Sequence, residues 1–185
     1  GADLAVRSSR AFKEEAVQFL DSLGGTTAEE RTFASMVFFP KSEDSRLVQV
    51  RALSEGFPFF GDLQTLPMDA GEQFRSGRLA LVARTLMLQF DAEVGDSIRI
   101  GNMMFEIAGS ILQVPGENGM SSMVSTPVYI PFDDLEATGL IRRGSRVTYF
   151  RYFQFEESLD VTGMAEDLKD RFKELDLRFD TAEER

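Results

Sequence analysis

The sequence contains no cysteine and no histidine. Zinc sites built on those residues, haem held by histidine, cysteine nucleophiles and Ser-His-Asp triads are therefore excluded. The absence of cysteine fits either redox compartment. No glycine-rich stretch is followed by Gly-Lys-Ser/Thr, so a P-loop is absent, and no acidic loop has the spacing of an EF-hand. No run approaches the roughly 18–20 apolar residues of a spanning helix, and no signal-peptide pattern is present. Lysine is scarce and nowhere clustered with arginine. With 31 acidic residues against 20 basic, the formal net charge is −11. A field of that sign repels phosphate backbones, so nucleic-acid binding is not expected.

What is there is a globular composition. Of 185 residues, 43% are hydrophobic, and 17 phenylalanines supply much of the bulk. A chain of this size buries about 70% of its unfolded surface without a disulfide or metal staple. The first residue is Gly1 and strand-like alternation begins at once, so the chain reads as a piece cut from something longer.

The periodicity predicts a strand over 2–8, then a helix on the stripe Phe12, Ala16, Phe19, Leu20 and Leu23. Ser8 or Ser9 is the expected cap and Gly24-Gly25 the stop. Strands 31–39 and 46–53 flank a polar turn and form an antiparallel hairpin. Residues 67–77 read as polar linker. A strand at 79–82 leads into a short helix over 83–90 carrying Leu86. Val94-Gly95-Asp96 turns the chain into strands 97–100 and 103–111, joined at Gly101-Asn102. A strand at 128–130 ends at Pro131, and a helical turn over 132–138 closes at Gly139. Strand 146–155 carries aromatics on both faces and belongs in the middle of a sheet. A helix over 158–174 follows, with stripe Val161, Met164, Ala165, Leu168, Phe172 and Leu175, and then a last strand at 177–179. The fold class is α+β. Residues 1–55 and 145–185 form one α/β lobe, and 56–144 form an inserted β-rich lobe.

Adjacent acids such as Asp133-Asp134 and Glu156-Glu157 are expected to solvate turns, and no catalytic, cofactor or metal residue is assigned. Two apolar loops are candidates for contact with a substrate or partner. Phe57, Phe59 and Phe60 lie between glycines and either cap the core or form a contact patch. Met120 and Met123 lie in a Gly- and Ser-rich loop, where adaptable side chains suit promiscuous binding or simply decorate a surface loop.

Several pieces in order resemble a known family. Leu81-Val82, Leu86, Val94-Gly95-Asp96, Ile98-Arg99-Ile100-Gly101 and Phe105-Glu106-Ile107-Ala108-Gly109 are similar to the extracytoplasmic core of MacB/LolC/FtsX-type ABC-transporter permeases. Pro127 to Pro131, Asp134 to Leu140 and Gly144 to Tyr149 look like the YbbP-like subgroup, as do the opening residues 1–4 and the closing residues 180–184. Asp91 departs from the pattern, standing where the family often has glycine. The resemblance implies a MacB-like periplasmic core, a porter-like βαβ lobe from both chain ends with a sabre-like β-rich lobe inserted, and a membrane-embedded parent. It further implies a cytoplasmic ATPase subunit as partner, a place on the periplasmic face of the inner membrane, and no covalent chemistry. The expected work is handling or gating a hydrophobic, lipid-like substrate. The alternative is a regulatory scaffold that recruits an exported hydrolase.

Overall fold

The computed structural model describes residues 2–56, 63–113 and 126–182. The two chain ends build a helix-on-sheet layer. Strand β1 (Leu4–Ser8) lies between β9 (Thr148–Gln154) and β10 (Arg178–Thr181), antiparallel to both. Helix α1 (Glu14–Ser22) buries Ala16 and Leu20 against Leu4, Val6 and Phe153, with Phe12, Phe19 and Leu23 packed at the margin. Each fully buried large side chain contributes roughly 1.5–3 kcal/mol before entropy. The helix starts after Lys13 without a side-chain cap, because Ser8 Oγ instead accepts from Arg10 N at 3.1 Å. Glu14 and Glu15 sit in its first turn, where the helix dipole favours them. The C-terminal stripe is on the predicted face, but it is carried by two helices, α4 (Val161–Asp167) and α5 (Lys169–Glu174), separated at Leu168. Asp160 caps the first by accepting from Gly163 N at 3.0 Å.

Strand β2 (Thr26–Phe39) is long enough to take β9 and then β6 (Ser97–Ile100) along one edge while β3 (Asp44–Leu53) runs along the other. Its first half pairs with β9, placing β9 centrally as its aromatic faces suggested, and from Glu30 onward it pairs with β3. The pairing then runs from β3 to β8 (Pro127–Pro131, parallel), to β5 (Leu79–Ala83, antiparallel) and to β7 (Met103–Gln113, parallel). It continues to β6 and back to β2, both antiparallel. Six strands thus close into a barrel, and alternate residues point inward. Val37, Val50, Val82, Ile98, Phe105 and Val128, one from each strand, are among its buried filling. Helix α3 (Arg84–Gln89) adds Leu86 and Met87, and Phe90 stacks on Phe39 at 4.6 Å between ring centroids.

The stretch over 67–77 is not a linker. Beyond the short edge strand β4 (Gln64–Leu66), helix α2 (Ala70–Gln73) and a 3-10 turn (Phe74–Ser76) lie against the outside of the barrel, with Ala70 and Phe74 fully buried. Two buried apolar residues in a polar run leave no period to detect, yet one phenylalanine is enough to anchor the segment. Gly109 lets it approach: a Cβ there would stand 2.5 Å from Ala70 Cβ and 2.8 Å from the Leu66 carbonyl oxygen. Asp91 adopts φ +51°, the left-handed conformation that glycine favours and aspartate tolerates better than most residues. The departure from the family pattern therefore keeps the turn.

Two substitutions test this packing by denaturant unfolding. Phe74→Ala is expected to cost about 3–5 kcal/mol, and Gly109→Ala about 1–3 kcal/mol through forced displacement of α2. Leu88→Ala, at a side chain 73% exposed, should stay within about 0.5 kcal/mol.

Candidate functional site

The five predicted contact residues, Phe57, Phe59, Phe60, Met120 and Met123, lie outside the described residues. Their attachment points are described. Gln64, shortly after the first loop, is the register partner of Gln113, just before the second. The two stretches therefore join the frame at neighbouring points, about 50 positions apart in sequence but adjacent across the β4–β7 pair.

The most perturbed polar groups form a cluster that sequence reading missed. Strands β9, β2, β3 and β8 are consecutive neighbours, and their alternation puts Tyr152, Glu30 with Thr32, Arg51 and Tyr129 on one face. That face is the outside of the barrel. Arg51 grips Glu30 with two hydrogen bonds, Nε to Oε2 and Nη2 to Oε1, each 2.7 Å. Its Nη1 donates to Tyr129 Oη at 2.9 Å, and its guanidinium lies 5.0 Å from the centroid of that ring. Tyr152 Oη donates to Glu30 Oε1 at 2.8 Å, and Thr32 Oγ1 donates to Oε2. Glu30 is 1% exposed and Arg51 8%.

Burial pushes the Glu30 carboxyl up, but the Arg51 charge and its hydrogen bonds, with those of Thr32 and Tyr152, outweigh it and hold the group below the ordinary value of 4.5. For Arg51, burial acts downward and the Glu30 charge reverses it, so the guanidinium stays protonated. Burial first, then the Glu30 charge, raises the Tyr152 phenol well above its ordinary value. Both oxygens of Glu30 are engaged and the charge is locked to its partner, so the cluster holds strands together rather than exchanging protons with a substrate. The only sequence signal was Glu30 and Arg51 sharing faces with Ala28 and Leu53, and it means little until the registers are known.

Two of the open grooves on the surface are lined by described residues. One, of about 590 Å³, is lined by Leu23, Gly25, Thr26, Gln154, Phe155, Glu156, Ser158 and Leu159. It lies at the end where the two chain termini run together: Phe155 N donates to Asp3 Oδ2 at 2.8 Å, and Ala182 N to the Asp3 carbonyl at 3.1 Å. The other, of about 680 Å³, runs along β10 between the strand and α5. Toward the opposite end of β2, Met36 and its register partner Leu47 are 54% and 60% exposed. Among the described residues, no group of three or more Asp or Glu is placed to hold a metal ion, and no helix is long and apolar enough to cross a membrane.

No family model matches the chain. Over 159 residues, 85% of the chain, it is 30% identical to an uncharacterized ABC transporter permease, YbbP, of Escherichia coli (strain K12). It spans about a fifth of that relative, 19% of its length. Three solved structures share the fold. The extracellular domain of the noncanonic ABC-type transporter YknZ from Gram-positive bacteria has a TM-score of 0.59 and 14% identity, covering 96% of this chain and 99% of that one. A domain of a permease protein from Porphyromonas gingivalis gives 0.58 and 11%, covering 96% and 88%. The periplasmic region of MacB from Actinobacillus actinomycetemcomitans gives 0.57 and 11%, covering 99% and 90%. These relatives are transporter permease components, and the fold is that of the MacB-like periplasmic domains.

Removing one partner of the buried pair leaves the other charge uncompensated. Arg51→Met is expected to cost about 3–5 kcal/mol, while Glu30→Leu with Arg51→Met should cost less than the single change. Because the folded state holds Glu30 below 4.5, its contribution is present above that pH and is lost as pH falls through the lower folded value. Denaturant unfolding across the acid range, in the wild type and the double variant, should show the wild type losing more stability on acidification.

Proposed function

We propose, for a chain whose sequence and fold are those of a MacB-like domain of an ABC-transporter permease, the work of an extracytoplasmic coupling module. In this reading it does no covalent chemistry. It handles or gates a hydrophobic, lipid-like substrate outside the membrane and carries there the movement that a cytoplasmic ATPase drives in the parent's membrane part. The helix-covered layer of the chain ends receives the movement, and the barrel, to which β3 and the far half of β2 belong, meets the cargo.

The observation that carries this reading is the convergence of both chain ends on one side of the sheet, where Ala182 N bonds the Asp3 carbonyl. Displacement of either connection reaches β1 or β10 directly. From there it passes through β9 into β2, which leaves the terminal end beside Phe153 and carries Met36 about 30 Å away. The Glu30–Arg51 cluster ties β9 and β2 to the barrel strands β3 and β8, so the displacement arrives at the barrel. The exposed Met36 and Leu47 give that distant region apolar surface.

The test uses the full-length permease with its ATPase in proteoliposomes, following extraction of a fluorescent phospholipid. Replacing residues 3–182 by a short Gly-Ser link, which the adjacent ends allow, should leave nucleotide hydrolysis and reduce extraction by about tenfold or more. Undiminished extraction would remove the coupling role. Absence of extraction by the intact transporter would remove the lipid-like substrate.

A further inference from the structure

Strand β10 pairs with β1 and, among the described residues, has no second neighbour in the sheet. The bond from Ala182 N to the Asp3 carbonyl sets which residues face β1. By the alternation of antiparallel ladders, Arg178 and Asp180 turn their main-chain groups toward β1, and Phe179 directs its N–H and C=O outward, into the second groove.

The groove's charge runs against that of the whole chain. At −11 overall, the protein places four cations against three carboxylates here. Arg7 is paired with Asp180, whereas Lys169, Lys173 and Arg178 form no ion pair among the described residues, although Glu166 and Asp176 share the groove. Their placement is on both sides of the open edge. Lys169 and Lys173 are four apart on α5 and project from one helix face, the side on which Phe172 meets Phe179 at 4.7 Å. Arg178, one residue from Phe179, points to the opposite side of the sheet.

We propose that this edge is a docking site for an extended acidic segment of a partner protein, added to the sheet beside β10. Main-chain bonds to Phe179 would hold the segment, and its alternating side chains would reach Lys169 and Lys173 on one side and Arg178 on the other. Charged edges commonly serve to prevent strand addition. Here they favour an acidic strand, which meets Lys169 and Lys173 on one face and Arg178 on the other. The inference stands on the groove and does not depend on the transport reading.

A fluorescein-labelled peptide of about ten residues, repeating Glu-Glu-Thr-Thr so that acids fall on both faces, is the probe. It is titrated with the chain at low salt by fluorescence anisotropy. Binding should weaken by about tenfold or more in Lys169→Glu/Lys173→Glu/Arg178→Glu. These three side chains are exposed, and circular dichroism should show the variant folded. The same peptide N-methylated at alternate residues keeps its charge and should not bind, and the Phe179 amide should gain hydrogen-exchange protection only with the unmethylated peptide. No binding, equal binding of the N-methylated peptide, or binding of phosphatidylglycerol vesicles in place of the peptide would each overturn the proposal.

Discussion

Glu30 and Arg51 are two charges taken almost completely out of water, and that choice constrains everything near them. Moving an unpaired ion into a protein interior costs several kcal/mol. The cost is offset only when the guanidinium fork meets both carboxylate oxygens and the remaining hydrogen-bonding positions are filled. Here the groups that fill them come from four neighbouring strands. A slip of one residue in any of those pairings would turn Tyr152, Tyr129, Arg51 or Glu30 to the other face of the sheet. Apolar packing excludes the same one-residue slip, while a slip of two residues keeps every face and separates the ion pair.

That register makes two structures into one. The helix-covered layer from the chain ends and the closed barrel share β2, whose first half belongs to the former and second half to the latter. The layer keeps its apolar residues on the helix side, where Leu4, Val6 and Phe153 meet α1, α4 and α5. The barrel keeps its own inside. On the outer face the polar cluster lies next to Leu53, Leu81 and Phe74, which pack beneath the α2 segment. Charge and apolar area are therefore buried side by side, and the segment over 63–78 helps keep water from both.

Legibility in the sequence followed the range of the interaction. The α1 stripe, the β2–β3 hairpin, the Gly101-Asn102 turn and the central place of β9 rest on residues near one another, and their patterns stand in the order of the chain. Barrel closure does not. The parallel pairs β3–β8 and β5–β7 join distant residues without a turn signal, and a short apolar run such as Leu79–Val82 looks the same in any sheet. Phe74 was hidden because one buried aromatic in a polar stretch has no period. Glu30 and Arg51 were hidden for a stronger reason: most acids and arginines are solvated, and only knowledge of the registers distinguishes these two. The open β10 edge likewise emerges only once each strand's neighbours are known. Asp91 is the reverse case, a departure visible in sequence whose backbone angle shows it to be harmless.

The position of β1 in the sheet also governs how this protein can be made. Among the described residues, Leu4–Ser8 has only β9 and β10 as strand neighbours, and both lie far along the sequence from it. Until those distant segments are made the first strand lacks its partners, and β3 waits for β8 in the same way. Such long-range pairings slow folding and leave apolar strands open to aggregation in the meantime. A cell producing this domain must shelter the unpaired first strand until β9 and β10 have been made, so loss of β9 threatens more of the molecule than one strand would suggest.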